Sequence, residues 1–312
     1  MDRLMLLGNG FALATAVLWT FNAILFTSAG KRLGAVALNA IRITMALMLY
    51  IITYLLFYGT VVPSGTQEQI LIMLISGMLG LAVGDFFYFS SLLMLGPRRA
   101  SLIMAAWPIF AALLAYFFLG ETLSWIVIVG MTLTTAGVTW VIIEKKPKQD
   151  EGGANDVPDL KKDRKALLLG VVFAIVGAFC QAIGYVYGKR GMTMDGGISP
   201  LTATFIRMIG AFVLVWIIVL AAGYAPQIKK AIGNNKGLGF ALGGTFTGPF
   251  LGVWSSMGAA LYTKIGIAST LMSLTPVFII PLVWIIYKEK VSLRSIIGAV
   301  VAVAGIALLF LA

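Results

Sequence analysis

The chain has 312 residues, of which 60% are hydrophobic and only 11% are charged, and its mean hydropathy is +0.98. Soluble domains carry about 25% charged residues, so this composition predicts an all-α protein embedded in a lipid bilayer. With no histidine and one cysteine, the chain excludes a Ser-His-Asp relay, a histidine metal site and an internal disulfide. The net charge of +11 does not predict nucleic acid binding, because the basic residues lie between apolar segments.

Ten apolar segments follow one another along the chain, and each is long enough to cross roughly 30 Å of hydrocarbon as a helix. They lie at about 5–28, 36–58, 70–95, 100–119, 125–143, 166–188, 200–222, 237–262, 268–286 and 294–312. Residues 144–165 are charged and contain Gly and Pro, which predicts a flexible linker. Four prolines are predicted to lie inside helices and bend them, namely Pro108, Pro249, Pro276 and Pro281.

One stretch of sequence occurs twice. Residues 108–124 read PIFAALLAYFFLGETLS, and residues 276–292, which begin 168 positions later, read PVFIIPLVWIIYKEKVS. The pattern predicts two five-helix units, at 1–143 and 166–312, joined by the linker 144–165. Because five is odd, the second unit must enter the membrane in the opposite sense. Ten transmembrane helices arranged as two inverted five-helix repeats are typical of secondary transporters.

The basic residues predict an orientation. Most lysines and arginines follow the first, third, fifth, seventh and ninth predicted helices, and the other side holds only Arg3, Lys189, Arg190 and Lys264. The positive-inside rule therefore places the linker in the cytoplasm and both termini outside, with the chain spanning the cell inner (plasma) membrane. The same orientation places Glu121 and Glu289 at opposite faces.

The two proline-to-glutamate stretches resemble the EamA branch of the drug/metabolite transporter superfamily. Each is followed by a glycine-spaced helix, GMTLTTAG or GAVVAVAG, and an arginine lies early in the second helix of each unit, at Arg42 and Arg207. The segment GDFFYFSSLLMLGPRRASLIMAAWP also fits the family. The resemblance covers the whole chain and implies a ten-helix carrier whose central cavity is lined by helices 1–4 and 6–9. Related families span amino-acid and drug exporters, nucleotide-sugar carriers and triose-phosphate carriers.

Three charged residues lie well within predicted spans, where charge is costly and normally faces a partner or a cavity. Arg42 and Arg207 occupy equivalent positions of the two units, so they either bind an anion or have a structural or gating role, which their symmetry favours. Asp85 has no equivalent acid, because the 168-residue shift pairs it with Val253. Its carboxylate either binds a cationic group or a coupling proton, or it neutralises one of the two arginines.

Glu121 and Glu289 lie at helix ends, each three residues before a serine. A carboxylate there is expected to stabilise the N-terminus of the following helix through capping and the helix dipole. The alternative is a gate that pairs with a basic residue in one conformational state.

Polar and aromatic residues recur at helical spacing on the first and sixth predicted helices. As a group they suggest a mildly polar cavity with aromatic walls, although each residue alone is more often a packing residue than a ligand contact. The candidate substrate-binding residues are Trp19, Asn22, Asp85, Tyr88, Trp107, Gln181, Tyr185, Trp254 and Thr275.

These features predict a secondary transporter rather than an enzyme, because no nucleophile–base pair, metal cluster or GxxxxGK[ST] signature is present. The expected substrate is a small organic metabolite, either an amino acid or a drug-like compound, exported by alternating access. One alternative is an exchanger of phosphorylated or nucleotide-linked sugars that uses Arg42 and Arg207, and another is a membrane scaffold or sensor. No cofactor is expected. The expected partners are the substrate, lipid and a candidate coupling proton. A monomer suffices, and a dimer is also compatible.

Overall fold

The structure is a computed structural model that describes residues 3–95, 97–143, 164–279, 281 and 293–311, and every regular element within them is helical. The first seven helices are α1 (Arg3–Leu33), α2 (Ala35–Tyr58), α3 (Gln67–Gly77), α4 (Gly84–Leu95), α5 (Pro97–Met104), α6 (Trp107–Leu119) and α7 (Trp125–Ile143). The others are α8 (Arg164–Thr193), α9 (Pro200–Ala221), α10 (Ala225–Ile232), α11 (Asn235–Thr245), α12 (Leu251–Tyr262), α13 (Ile265–Met272) and α14 (Leu293–Leu311). Two π-helical turns, Met78–Val83 and Phe246–Phe250, join α3 to α4 and α11 to α12.

Seven helical segments of the described chain are long and apolar enough to cross a membrane. They are Arg3–Leu33, Ala35–Tyr58, Gln67–Leu92, Arg99–Leu119, Trp125–Ile143, Lys165–Thr193 and Pro200–Ala221. Two shorter apolar helices lie at Ile265–Ile279 and Ile296–Phe310. The prediction of an all-helical membrane protein is therefore confirmed, whereas the count of ten spans and their inverted arrangement stay predictions.

Two of the predicted helices are interrupted just before a proline. The predicted helix 100–119 ends as α5 at Met104 and restarts as α6 at Trp107, and the predicted helix 268–286 pauses between Met272 and residue 275. Pro108 and Pro276 have no N–H to continue the helical ladder, and their rings clash with the preceding turn. Each proline therefore lies in the first turn after a two-residue interruption, within the segments Arg99–Leu119 and Ile265–Ile279.

Helices α7 and α14 form a tightly packed antiparallel pair. A methyl group added at Gly137 would lie 2.6 Å from the Gly298 carbonyl oxygen, and one added at Gly305 would lie 2.7 Å from the Gly130 oxygen. Only glycine fits at such distances. The 168-residue shift aligns Gly130 with Gly298 and Gly137 with Gly305, so each half of the contact repeats the other.

Two further antiparallel helix contacts are also related to each other by the sequence repeat. Helix α1 packs along α11 and α12, and helix α8 packs along α3 and α4. The core lies in two clusters, one centred on α1, α6, α8 and α13 and the other on α2, α9 and α11. The polar candidate residues lie where the helices of the bundle meet.

Candidate functional site

Asp85 is at the centre of a buried ionic cluster contributed by three helices. Its carboxylate accepts a hydrogen bond from Arg42 Nη2 of α2, and its other oxygen accepts one from Gln181 Nε2 of α8 at 3.0 Å. The side chain of Arg42 is 9% exposed and that of Asp85 is 14% exposed. Of the two arginines that the sequence offered as partners for Asp85, the structure selects Arg42.

Arg42 has further contacts that fix its guanidinium. Its Nε donates to Asn39 Oδ1 at 2.9 Å, one turn earlier on α2. Its charge lies 5.3 Å from the centre of the Phe89 ring and 5.8 Å from that of Phe26, within the range of cation–π attraction. The Nε–Nη2 edge of Arg42 therefore meets two oxygen acceptors, one from an amide and one from a carboxylate.

The π-helical turn Met78–Val83 immediately precedes α4 and therefore Asp85. The second π-helical turn, Phe246–Phe250, falls at the equivalent position of the second half, since the shift carries Met78 onto Phe246. Such turns are rare and are frequent at functional sites, because they rotate the following helix and free a carbonyl group. Here the turn sets the direction in which α4 presents Asp85.

Arg207 lies on α9 in different surroundings. The residue is 3% exposed, and its Nη1 donates to the thioether of Met257 on α12 at 2.8 Å. Its Nε has no hydrogen-bond acceptor within the described chain. The hydroxyls of Tyr50 and Tyr185 donate to the carbonyls of Phe250 and Ser256.

Trp19 and Asn22 lie on one face of α1, against one glycine inside the second π-helical turn and another that follows it. A methyl group at Gly252 would meet the Trp19 indole at 2.6 Å, and one at Gly248 would meet the Asn22 carboxamide at 2.5 Å. Asn22 Oδ1 is buried and has no hydrogen-bond donor in the described part of the chain. Both side chains are half-buried where α1 crosses α12.

Three aromatic candidates lie on α4, α6 and α8. Trp107 and Tyr185 are buried and meet edge to face, with ring centres 5.8 Å apart. Tyr88 lies one turn after Asp85 on α4, and its hydroxyl is 3.5 Å from Ser101 Oγ, which is too long for a strong hydrogen bond. Tyr88 therefore lies close to Asp85 on α4, and Tyr185 lies close to Gln181 on α8.

The other two candidates have different neighbours. Trp254 packs against Phe57 and Phe250, with ring centres 6.3 Å and 6.1 Å away. Thr275 Oγ1 is 3.4 Å from the Ala16 carbonyl and 3.2 Å from that of Met272, so its hydroxyl joins α1 to the end of α13. Among the described contacts, neither residue touches the Asp85 cluster.

Glu121 joins three helix ends at one face of the molecule. It forms an ion pair with Lys189 of α8 at 2.7 Å, and its Oε2 accepts a hydrogen bond from the backbone N–H of Ile265 at 2.7 Å. Lys189 also donates to the Thr263 carbonyl at 2.7 Å. The helix that Glu121 caps is therefore α13 and not the following helix α7, whose first turn is instead capped by Ser124 at 3.4 Å. Glu289 lies outside the described residues.

Some residues with clear roles in these contacts were not selected from the sequence. Asn39 could have been found, because it lies three residues before Arg42 and so shares its helix face. In the sequence, Lys189 stands out only through the distribution of basic residues, and nothing distinguishes Met257 from its apolar neighbours. The partners of Lys189 and Met257 lie 50 or more residues away along the chain, so only the fold brings each pair together.

The chain has relatives and a structural neighbour among known proteins. The model of the EamA-like transporter family matches residues 6–143 and again residues 168–311. An uncharacterized transporter of Archaeoglobus fulgidus is 24% identical over 304 residues, which cover 96% of each chain. Another, from Clostridium kluyveri, is 28% identical over 206 residues, and the match spans 66% of this chain and 61% of that relative. A protein of known crystal structure superposes with a TM-score of 0.76 at 18% identity, over 97% of this chain and 96% of the other.

Proposed function

Because the chain belongs to the EamA-like transporter family, we propose that it is a secondary transporter that moves a small organic metabolite across the membrane by alternating access. The observation that supports this best is the buried cluster of Arg42, Asp85 and Gln181. Charges within a span are costly, and a membrane scaffold needs none of them. Arg42 and Asp85 belong to the first matched range and Gln181 to the second, so the cluster links the two halves.

The alternating-access mechanism is supported by the contacts at the Glu121 face. The ion pair with Lys189 and the cap on α13 hold α6, α8 and α13 together at that face, which would keep it closed. We propose that these contacts break when the substrate leaves or enters there. The repeat offers no identical device at the other face, because the 168-residue shift replaces Ile265 by Pro97, which has no N–H to donate.

We propose an amino acid or a drug-like compound as the substrate and export as the direction. The Asp85 cluster, Tyr88 and the edge-to-face pair of Trp107 and Tyr185 would provide polar and aromatic contacts for such a molecule. The second candidate function, exchange of phosphorylated sugars, is favoured by Arg207 alone. A phosphate with two negative charges would require more than this one unpaired cation.

A comparison of purified wild type with Asp85→Asn, both in proteoliposomes, tests the proposed function. A thermal-shift screen of amino acids, cationic drugs, nucleosides and sugar phosphates would first identify a ligand, since a ligand at 100 times its dissociation constant stabilises a protein by about 2.7 kcal/mol. Flux of that ligand is expected in wild type and is expected to fall to background in Asp85→Asn. Asp195→Asn is the matched control, because it makes the same change at an exposed turn. Undiminished flux through Asp85→Asn would disprove a role for the carboxylate.

We also propose that the two matched ranges are inverted halves, with the linker cytoplasmic and both termini outside the cell membrane. The distribution of lysine and arginine supports this orientation. A cysteine placed after Ala312, in a Cys180→Ser background, is expected to react with an impermeant maleimide added to intact cells. Reaction only after the cells are opened would reverse the proposed orientation.

A further inference from the structure

Arg207 lacks the oxygen acceptors of its counterpart in the first half. Arg42 donates from Nε to Asn39 Oδ1 and from Nη2 to Asp85. A shift of 165 residues aligns the two arginines and replaces Asn39 by Thr204, whose hydroxyl donates to the Pro200 carbonyl at 2.6 Å instead. The acid Asp85 is replaced by Val253.

The two arginines contact equivalent positions of α4 and α12. Arg42 contacts Phe89, which lies four residues after Asp85, and Arg207 contacts Met257, which lies four residues after Val253. Residues four apart share a helix face. Arg207 Nη1 therefore meets the turn of α12 that follows Val253, as Arg42 meets the turn of α4 that follows Asp85.

The charge of Arg207 is not balanced by the described part of the chain. The described part of the chain contains four acidic residues, namely Glu68, Asp85, Glu121 and Asp195. Asp85 and Glu121 form ion pairs with Arg42 and Lys189, Asp195 accepts a hydrogen bond from Thr66, and Glu68 is exposed in the first turn of α3. An ion buried without a counter-charge is costly, so a partner of opposite charge would be bound strongly.

A glycine faces Nη2 of the guanidinium. Gly80, in the first π-helical turn, has no side chain, and a methyl group added there would lie 3.5 Å from Arg207 Nη2 and 3.4 Å from the Gly184 Cα. These are ordinary van der Waals distances. One added carbon therefore fits beside Nη2 of Arg207, and a larger group requires the neighbouring backbones to move apart.

We propose that the Nε–Nη2 edge of Arg207 binds the carboxylate of an organic ligand. A carboxylate supplies two oxygens with the spacing of this edge and a single negative charge, so it replaces both Asn39 Oδ1 and Asp85 of the other half. The inference rests on the proposed transport function, within which it assigns the substrate to the carboxylate-bearing metabolites. Because Arg207 is 3% exposed, the ligand reaches it only when the surrounding helices separate.

The unfolding midpoint of the full-length protein in lipid nanodiscs, titrated with sodium acetate, tests this site directly. Sodium chloride at equal ionic strength is the comparison. Acetate is expected to raise the midpoint of wild type in a saturable way, and chloride is expected to give a smaller rise. A response to chloride equal to that to acetate, and lost in the same variants, would disprove carboxylate recognition.

Two variants block the site by different means. Gly80→Ala fills the space beside Nη2 without changing any charge, and Val253→Asp supplies an internal carboxylate where Asp85 lies in the first half. Both are expected to abolish the acetate response, and Val253→Asp should raise the midpoint measured without acetate. Asp85→Val is the reciprocal variant, which frees Arg42 and should enlarge the acetate response.

An acetate response that persists in both Gly80→Ala and Arg207→Gln would overturn the proposed site. If Val253→Asp does not fold, Gly80→Ala alone decides the matter, because its added methyl group meets no atom closer than 3.4 Å. The titration measures binding and not flux. Acetate binding without any transport would therefore disprove the proposed function and leave the proposed site intact. Transport without acetate binding would disprove the proposed site and leave the proposed function intact.

Discussion

The contact between α7 and α14 and the surroundings of the two buried arginines relate differently to the sequence repeat. In the helix pair, Gly130 faces Gly305 as Gly298 faces Gly137, so each residue and its equivalent make the same contact. Around the arginines, the equivalent positions hold different chemistry, with Asp85 replaced by Val253. The repeat is therefore symmetric where helices only pack and asymmetric where charge is buried.

This difference separates positions where the two matched ranges must agree from positions where they can differ. Close packing of backbone against backbone tolerates glycine alone, so neither half can change without the other. A buried charge needs one partner, which either the chain or a ligand supplies. In our proposal, the half without an internal acid is the half whose arginine binds a ligand, whereas Asp85 of the other half contacts Arg42 of α2 and Gln181 of α8.

Replacement of Gly137 by leucine should have the largest effect on the folded state. The first added carbon would lie 2.5 Å from the Ala302 amide nitrogen, which is backbone and cannot rotate away. We expect a loss of about 3 kcal/mol of unfolding free energy or failure to fold. The thermal midpoint in detergent measures this loss.

Gly10→Leu is the control for that experiment, because it makes the same change in a helix where no atom lies within 4 Å of the added carbon. Equal midpoints for the two variants would show that α7 and α14 do not pack as described. Gly305→Leu should reproduce the effect of Gly137→Leu, since the symmetry of the contact makes the two positions equivalent.

Glu121→Gln tests the contacts at one face and should have an intermediate effect. The variant loses the ion pair with Lys189 and weakens the cap on the Ile265 amide. A hydrogen bond to a charged group is worth about 1.5–3 kcal/mol, so hydrogen exchange in the first turn of α13 is expected to accelerate about tenfold or more. Hydrogen–deuterium exchange followed by mass spectrometry on peptides of α13 measures it.

Lys264→Gln is the neighbouring control. It removes only the exposed contact of the lysine with the Thr122 carbonyl and leaves the Glu121 ion pair intact. Its α13 peptides should exchange at the wild-type rate. Equal exchange in Glu121→Gln and wild type would contradict the role of Glu121 as the link between these helix ends.

Two of the predicted spans are found with nearly their predicted bounds, because hydropathy along a helix is a local property. The helix predicted at 36–58 is found at Ala35–Tyr58, and the helix predicted at 125–143 is found with those bounds. The breaks before Pro108 and Pro276 were read as bends, because the local pattern marks a proline but does not show where the helix resumes. Both proline segments did fall at equivalent positions of the repeat.

The site was predictable only in part, since its geometry depends on which helices meet. The sequence identified Asp85 as the asymmetric charge and left its partner open among Arg42, Arg207 and a ligand. Selecting Arg42 requires the packing of α2 against α4 beyond the π-helical turn. Trp254 was grouped with the site by its type, but its ring faces Phe57 and Phe250, because the hydrophobic periodicity of α12 does not distinguish one apolar neighbour from another.

The smallest expected effect concerns a single hydroxyl in the symmetric pair. Thr134 Oγ1 donates to the Gly130 carbonyl at 2.8 Å and lies 3.4 Å from the Ala302 carbonyl of α14, whereas Thr132 makes the same contact within its own helix on the exposed side. Thr134→Val should cost about 0.5–1 kcal/mol and Thr132→Val almost nothing, since interhelical hydrogen bonds in membranes are weak on average. Equal unfolding midpoints for the two variants would assign the stability of the pair to its glycines alone. A larger loss in Thr134→Val would mean that the Thr134 hydroxyl also stabilises the pair. Because the 168-residue shift aligns Thr134 with Ala302, the two halves of the packing surface would then differ in polarity.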